Sequence, residues 1–150
     1  MSKEIWKPVP SRPGMLASSL GRVQVLPYEV ITSFNKPRTY VVKPKFGYIK
    51  KSPKNKADTY FFLSLRRFGN MKIHRLVCEA FHGPQPSKLS VVIHINECST
   101  DNRPENLRWG TQKENLNMPK FIAYCKSRTG LNSPVTKGKL KRITKWVYTP

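Results

Sequence analysis

Two rhythms of apolar residues run along this chain. Tyr28–Phe34 (YEVITSF), Thr39–Val42 (TYVV) and Thr59–Leu65 (TYFFLSL) are aromatic and β-branched, with enough alternation to read as strands. A turn over RRFGN, marked by Gly69-Asn70, sends the chain back through Met71–Ile73 as a returning strand. From His74 the spacing changes. Leu76, Val77, Ala80 and Phe81 recur as one face of a helix that stops at Gly83-Pro84. Val91–Ile95 is then an apolar strand carrying His94. A polar loop rich in turn formers (Asn96, Ser99, Asp101, Asn102, Pro104) follows and ends at Asn106. Leu107–Trp109 is a second short strand, leading through Gly110 and Thr111 into a helix that carries Asn115. Strand, long loop, strand and helix are expected to bring His94, Asn106 and Asn115 within reach of one point.

The flanks are less regular. Trp6 reads as a core aromatic of a small amino-terminal module. Pro37, Pro44 and Pro53, among many lysines, limit regular structure and predict extended segments and loops, either along a phosphate backbone or as a solvated basic linker. Residues 126–137 read as a loop or extended arm, and Trp146 and Tyr148 follow a dense basic cluster. The expected architecture is α+β: antiparallel strands and a short helix leading into a strand–loop–strand–helix unit, then a basic tail. Its modules are residues 1–58, 59–118 and 119–150.

Charge narrows the function. The chain carries 28 Lys and Arg against 8 Asp and Glu, a formal net charge of +20, which calls for a polyanionic partner. No long basic amphipathic helix, signal peptide or transmembrane run is evident, so nucleic acid is favoured over a membrane surface. Cys78, Cys98 and Cys125 form no CxxC pair, which argues against structural zinc and against a disulfide framework, and fits a reducing cytoplasm. Cys78 reads as core. Half of the acids, Glu97, Asp101, Glu105 and Glu114, fall in the His94–Asn115 stretch.

The His94 strand, the TDNRPENL loop with Asn106, Trp109, and TQKEN ending in Asn115 together resemble the HNH nuclease motif of phage and intron homing endonucleases. The upstream IHRLVCEAFHGP run is similar to the segment preceding that motif, and Gly21-Arg22-Val23 is similar to a small module that precedes it further upstream. The resemblance implies a ββα-metal finger. In it His94 is the general base, Asn106 ties the loop and helps fix the base, and Asn115 binds a divalent metal, Mg²⁺ or Mn²⁺. The family often carries a second ligand, Asp or His, just before the base; here that position is Ile93, which cannot ligate. Glu97 or Asp101 are the loop residues able to substitute. His74, at a strand-to-helix junction, reads as a hydrogen-bonded structural residue, and His82 as a helix-end residue suited to the dipole.

The cations expected to meet nucleic acid are Arg22, Lys45, Lys50, Lys51, Arg66, Arg67, Arg75, Arg103, Arg108, Lys137, Lys139, Lys141, Arg142 and Lys145. The resulting expectation is a homing-type DNA endonuclease, cytoplasmic in a bacterial host if phage-encoded. The other class consistent with Ile93 is a non-catalytic binder of structured RNA, a ribosome or a nucleoprotein complex. Oligomeric state, target sequence and nicking against double-strand cutting leave no trace in the sequence.

Overall fold

The structure is a computed structural model that describes residues 3–49, 60–130 and 133. The chain divides into two compact units, Met1–Thr111 and Gln112–Pro150. The α+β expectation is borne out. In the first unit, β1 (Trp6–Pro8), β2 (Met15–Ser18), β3 (Val23–Ile31) and β4 (Pro37–Lys45) form an antiparallel sheet in sequential order. A second sheet joins β5 (Tyr48–Ile49), β6 (Phe61–Leu65) and β7 (Gly69–Lys72), and a two-stranded ribbon joins β8 (Val91–His94) to β9 (Leu107–Gly110).

Helix α1 (Ile73–His82) lies at the centre and packs against strands of all three sheets. Its Ile73, Leu76 and Val77 meet Met15, Ala17, Val23, Val25, Leu63 and Leu107 in one core, because apolar residues three and four apart share a helix face. Cys78 is fully buried there, and burial pushes its thiol up to about 12. Gly83 ends the helix with φ of 84°, a conformation glycine tolerates without strain.

Three local readings need correction. Pro37 and Pro44 do not interrupt structure; both lie inside the nine-residue β4. β4 is the outer strand of its sheet, where a missing N–H can face solvent. The β6–β7 turn falls on Arg66–Phe68, while Gly69 (φ 70°) and Asn70 already belong to β7. Trp6 is half-buried, with the Arg22 guanidinium 5.9 Å from its ring centroid.

The second unit contains α2 (Gln112–Leu116), bearing Asn115, and α3 (Pro119–Ser127), which the sequence reading placed in the basic arm without a helix. Pro119 occupies the first turn of α3, where its missing N–H costs nothing. Lys50, Lys51, Pro53, Lys137, Lys139, Lys141, Arg142, Lys145, Trp146 and Tyr148 lie outside the described residues. No helix among the described residues is long and apolar enough to cross a membrane.

Candidate active site

His94 closes β8, paired across the ribbon with Leu107 of β9. The twelve residues between them would be a floppy connection if their polar groups did not hold one another. They do. The Asn106 side chain accepts from the Asn96 N–H at 2.8 Å through Oδ1 and donates to the Asp101 carbonyl at 2.9 Å through Nδ2. The Ile95 N–H donates to the Asn106 carbonyl at 2.8 Å. Asn96 donates to one oxygen of Asp101 at 2.9 Å and accepts from the Cys98 N–H at 2.8 Å. Glu97 turns the chain with φ of 55°, its N–H reaching the His94 carbonyl at 3.0 Å. Asn106 is buried, and truncating it would orphan both groups it serves.

Two neighbours buttress this loop from outside. His82 Nε2–H donates to the Pro104 carbonyl at 2.8 Å, so the histidine read as a dipole partner ties α1 to the loop's 3-10 turn, Pro104–Asn106. Gly21, with φ of +78°, lies against the Asn102 backbone; a Cβ there would come within 2.9 Å of the Asn102 carbonyl carbon and oxygen. The glycine of the Gly21-Arg22-Val23 segment thus gives the loop a flat surface to rest on.

His94 is 8% exposed. Its Nε2 lies 3.4 Å from Asn102 Oδ1. In the tautomer that donates to this oxygen, the ring N–H is on Nε2 and the neutral imidazole keeps its lone pair on Nδ1. Burial lowers its pKa from the ordinary value and so favours the neutral base form, against the opposite pull of the Asn102 bond and Asp101. Around it gather rings from distant segments. Tyr60 lies 5.9 Å from His94 and 4.8 Å from His74 between ring centroids, and His74 meets His94 edge-on at 5.2 Å. Burial first, then the neighbouring His94, Lys72 and Arg75, lower His74 to about 3, so it stays neutral. Its Nδ1 and the Asn102 Nδ2 are both buried without a partner among the described residues. Asn102 and Tyr60 escaped the sequence reading. Asn102 looked like a turn former, and Tyr60 like one more strand aromatic.

The metal question turns on donor chemistry. Ile93 is 1% exposed and faces away from His94, as neighbours in a strand do. The Asp101 carboxylate is gripped at both oxygens by Arg103, at 2.9 and 2.8 Å, which holds it well down at about 2. Among the described residues no three of His, Cys, Asp and Glu gather as a metal cluster. Asn115 offers a half-buried amide on α2 of the second unit. Such a donor set suits a hard divalent ion only if phosphate and water fill most of its shell.

The cations expected to meet nucleic acid divide by position. Arg22 is paired with Glu4, and Arg103 with Asp101 and Glu105. Arg108 sits on β9, its guanidinium 3.4 Å from the Trp109 carbonyl. Lys45 and Arg75 are exposed, on β4 and α1. Arg66 and Arg67 occupy the β6–β7 turn beside a groove of about 910 Å³ that runs along the β3–β4 hairpin. There Tyr28 and Tyr40 stack at 5.7 Å, with Arg67 5.1 Å over Tyr28 and Arg38 5.4 Å over Tyr40.

Residues 71–117 match the family model described as HNH endonuclease, which spans α1, β8, the loop, β9 and α2. The resemblance read from the sequence is borne out over that segment. An uncharacterised HNH endonuclease of Acanthamoeba polyphaga mimivirus is 50% identical over 46 residues, a stretch covering 30% of this chain. The chain spans only 12% of that relative's length. Among solved structures, one described as DNA binding and cleavage by the HNH homing endonuclease I-HmuI matches with a TM-score of 0.49 at 20% identity, over 92% of this chain and 68% of that one.

Proposed function

We propose that the protein is an HNH-type endonuclease that hydrolyses DNA phosphodiester bonds with His94 as general base. The observation that carries this reading is the state of His94: neutral, buried, and oriented by Asn102 so that Nδ1 is free to take a proton from water. Asn106 is then a positioning residue, holding the loop that holds the base. A divalent ion, Mg²⁺ or Mn²⁺, would be bound through the Asn115 amide oxygen together with phosphate and water. When bound, it neutralises charge on the scissile phosphate. The net charge of +20 draws the duplex in, and the Tyr28–Tyr40 groove, with Arg38, Arg66 and Arg67 along it, is the surface on which it lies.

Buried Ile93 and the Arg103-bound Asp101 favour a second reading, a nucleic-acid binder that has lost catalysis. Nicking of supercoiled plasmid separates the two. The nuclease reading expects open-circle product with Mg²⁺ or Mn²⁺ and none with EDTA. Tight plasmid binding with no product in either metal would leave the binder, and structured RNA would then be its first alternative partner to try.

A further inference from the structure

Helix α1 presents a second face, and a second site, away from His94. At about 100° per residue, Arg75, Leu76 and Glu79 point well away from His74. They line a cleft of about 690 Å³ with Arg12, Gln85 and Trp109. We propose that this cleft binds one unpaired nucleotide of a nucleic-acid strand, its phosphate between Arg12 and Arg75 and its base against Trp109.

Each part of that ligand has a counterpart. The volume suits a nucleotide-sized ligand and is generous for a bare phosphate. Trp109 is a fixed plane, because its indole Nε1–H donates to the Gly83 carbonyl at 2.9 Å. Flat aromatic faces stack any base, without sequence preference. Arg12 is held in place by its backbone: its N–H reaches the Val9 carbonyl at 3.0 Å and its carbonyl accepts from Met15 N–H at 3.0 Å. Among the described residues its guanidinium makes one hydrogen bond, Nη1–H to the Ser11 carbonyl at 3.1 Å, and its Nε is buried with no partner. An oxyanion is the partner chemistry such a group lacks. Arg75 is exposed and forms no ion pair among the described residues.

The cleft also contains a carboxylate, Glu79, which would repel a phosphate if its charge faced the space. Both of its oxygens are occupied by Ser11, accepting from the backbone N–H at 2.7 Å and from the hydroxyl at 2.8 Å. Glu79 therefore serves as the clamp that brings the Arg12 loop onto α1. Lys72 also lines the cleft, but its ammonium sits 4.8 Å over the Tyr60 ring. A base stacked on Trp109 cannot at the same time be paired in a duplex, so the ligand is a strand end, a flap or an extruded residue.

The proposal depends on the nuclease reading only for its class of partner, and its test involves no cleavage. Trp109 is one of three tryptophans, and its fluorescence reports the cleft. The full chain is titrated with deoxyadenosine monophosphate, with inorganic phosphate and with deoxyadenosine. The monophosphate should quench at a lower concentration than either half, and Trp109→Phe should abolish the quenching. Arg75→Ala, at an exposed position that leaves the fold intact, should raise Kd about tenfold or more, since a charge-assisted hydrogen bond is lost. Arg12→Lys should weaken binding less than Arg12→Ala. Equal binding of phosphate and monophosphate would overturn the nucleotide assignment. An unchanged Kd in Arg75→Ala would place the binding elsewhere on the basic surface and overturn the site.

Discussion

The loop between His94 and Leu107 and the hairpin of β3 and β4 are both polar-rich connections in sequence, yet they are built on opposite principles. In the loop, Asn96, Asn106 and Asp101 satisfy one another and the backbone, Asn102 turns its Oδ1 to His94, and Asn102 and Asn106 are buried. In the hairpin, Ile31 is 62% exposed, Phe34 84% and Val41 58%, with cations beside them. The first region is complete in itself, as a device that orients a reacting atom must be. The second leaves apolar and cationic surface uncovered by any of the described residues, as a surface awaiting a ligand does. Damage to the loop should therefore cost stability and catalysis together. Damage to the hairpin should cost affinity alone.

Acid should break this contrast most severely. His74 is neutral in the folded state, lowered to about 3 from an ordinary 6.5. The unfolded chain thus binds the extra proton between those values. Stability is fully present above pH 6.5 and is lost as pH falls toward about 3, at roughly 1 kcal/mol per pH unit. His94, lowered in the same direction, adds to the slope. Urea midpoints at pH 7 and pH 4 should differ widely in the wild type and less in His74→Gln; parallel pH dependence in the two would remove His74 as the source.

Asn106→Ala comes next. It leaves the Asn96 N–H and the Asp101 carbonyl without their partner, which should cost about 2 to 4 kcal/mol and cut cleavage at least a hundredfold. Denaturant unfolding and single-turnover cleavage check it together, and normal values in both would mean that the loop holds its shape without this side chain. Gly21→Ala should cost roughly 1 to 3 kcal/mol, through a positive φ and a Cβ pressed on Asn102. Its cleavage should fall more than its DNA affinity. The mildest change is Phe34→Ala at the hairpin tip, expected to move stability by less than about 0.5 kcal/mol while weakening DNA binding several-fold. A stability loss there would show that Phe34 is packed.

Much of the fold around the candidate site was legible because its contacts are local. His94 sits at the end of a short apolar run, and the turn-forming residues after it announce a loop that must close on itself. Helix α1 was legible from Leu76, Val77, Ala80 and Phe81 for the same reason. What stayed hidden depends on distant segments meeting. Tyr60, His74 and Asn102 come from a strand entrance, a helix start and a loop, and nothing in their neighbours marks them as a cluster around His94. The Ser11–Glu79 clamp joins residues 68 apart in the chain. The prolines of β4 misled because their cost depends on which edge of a sheet they occupy, a property of tertiary position. Arg22 looked like a phosphate contact because its partner, Glu4, lies across β1 and β2.

The account rests on His94 taking the proton from water. Single-turnover cleavage and DNA affinity measured side by side on wild type and His94→Ala, with Mg²⁺ or Mn²⁺ present, test that most directly. Loss of a general base should lower the cleavage rate by about 10² to 10⁴ with affinity unchanged. Cleavage at the wild-type rate in a folded His94→Ala protein would contradict the account.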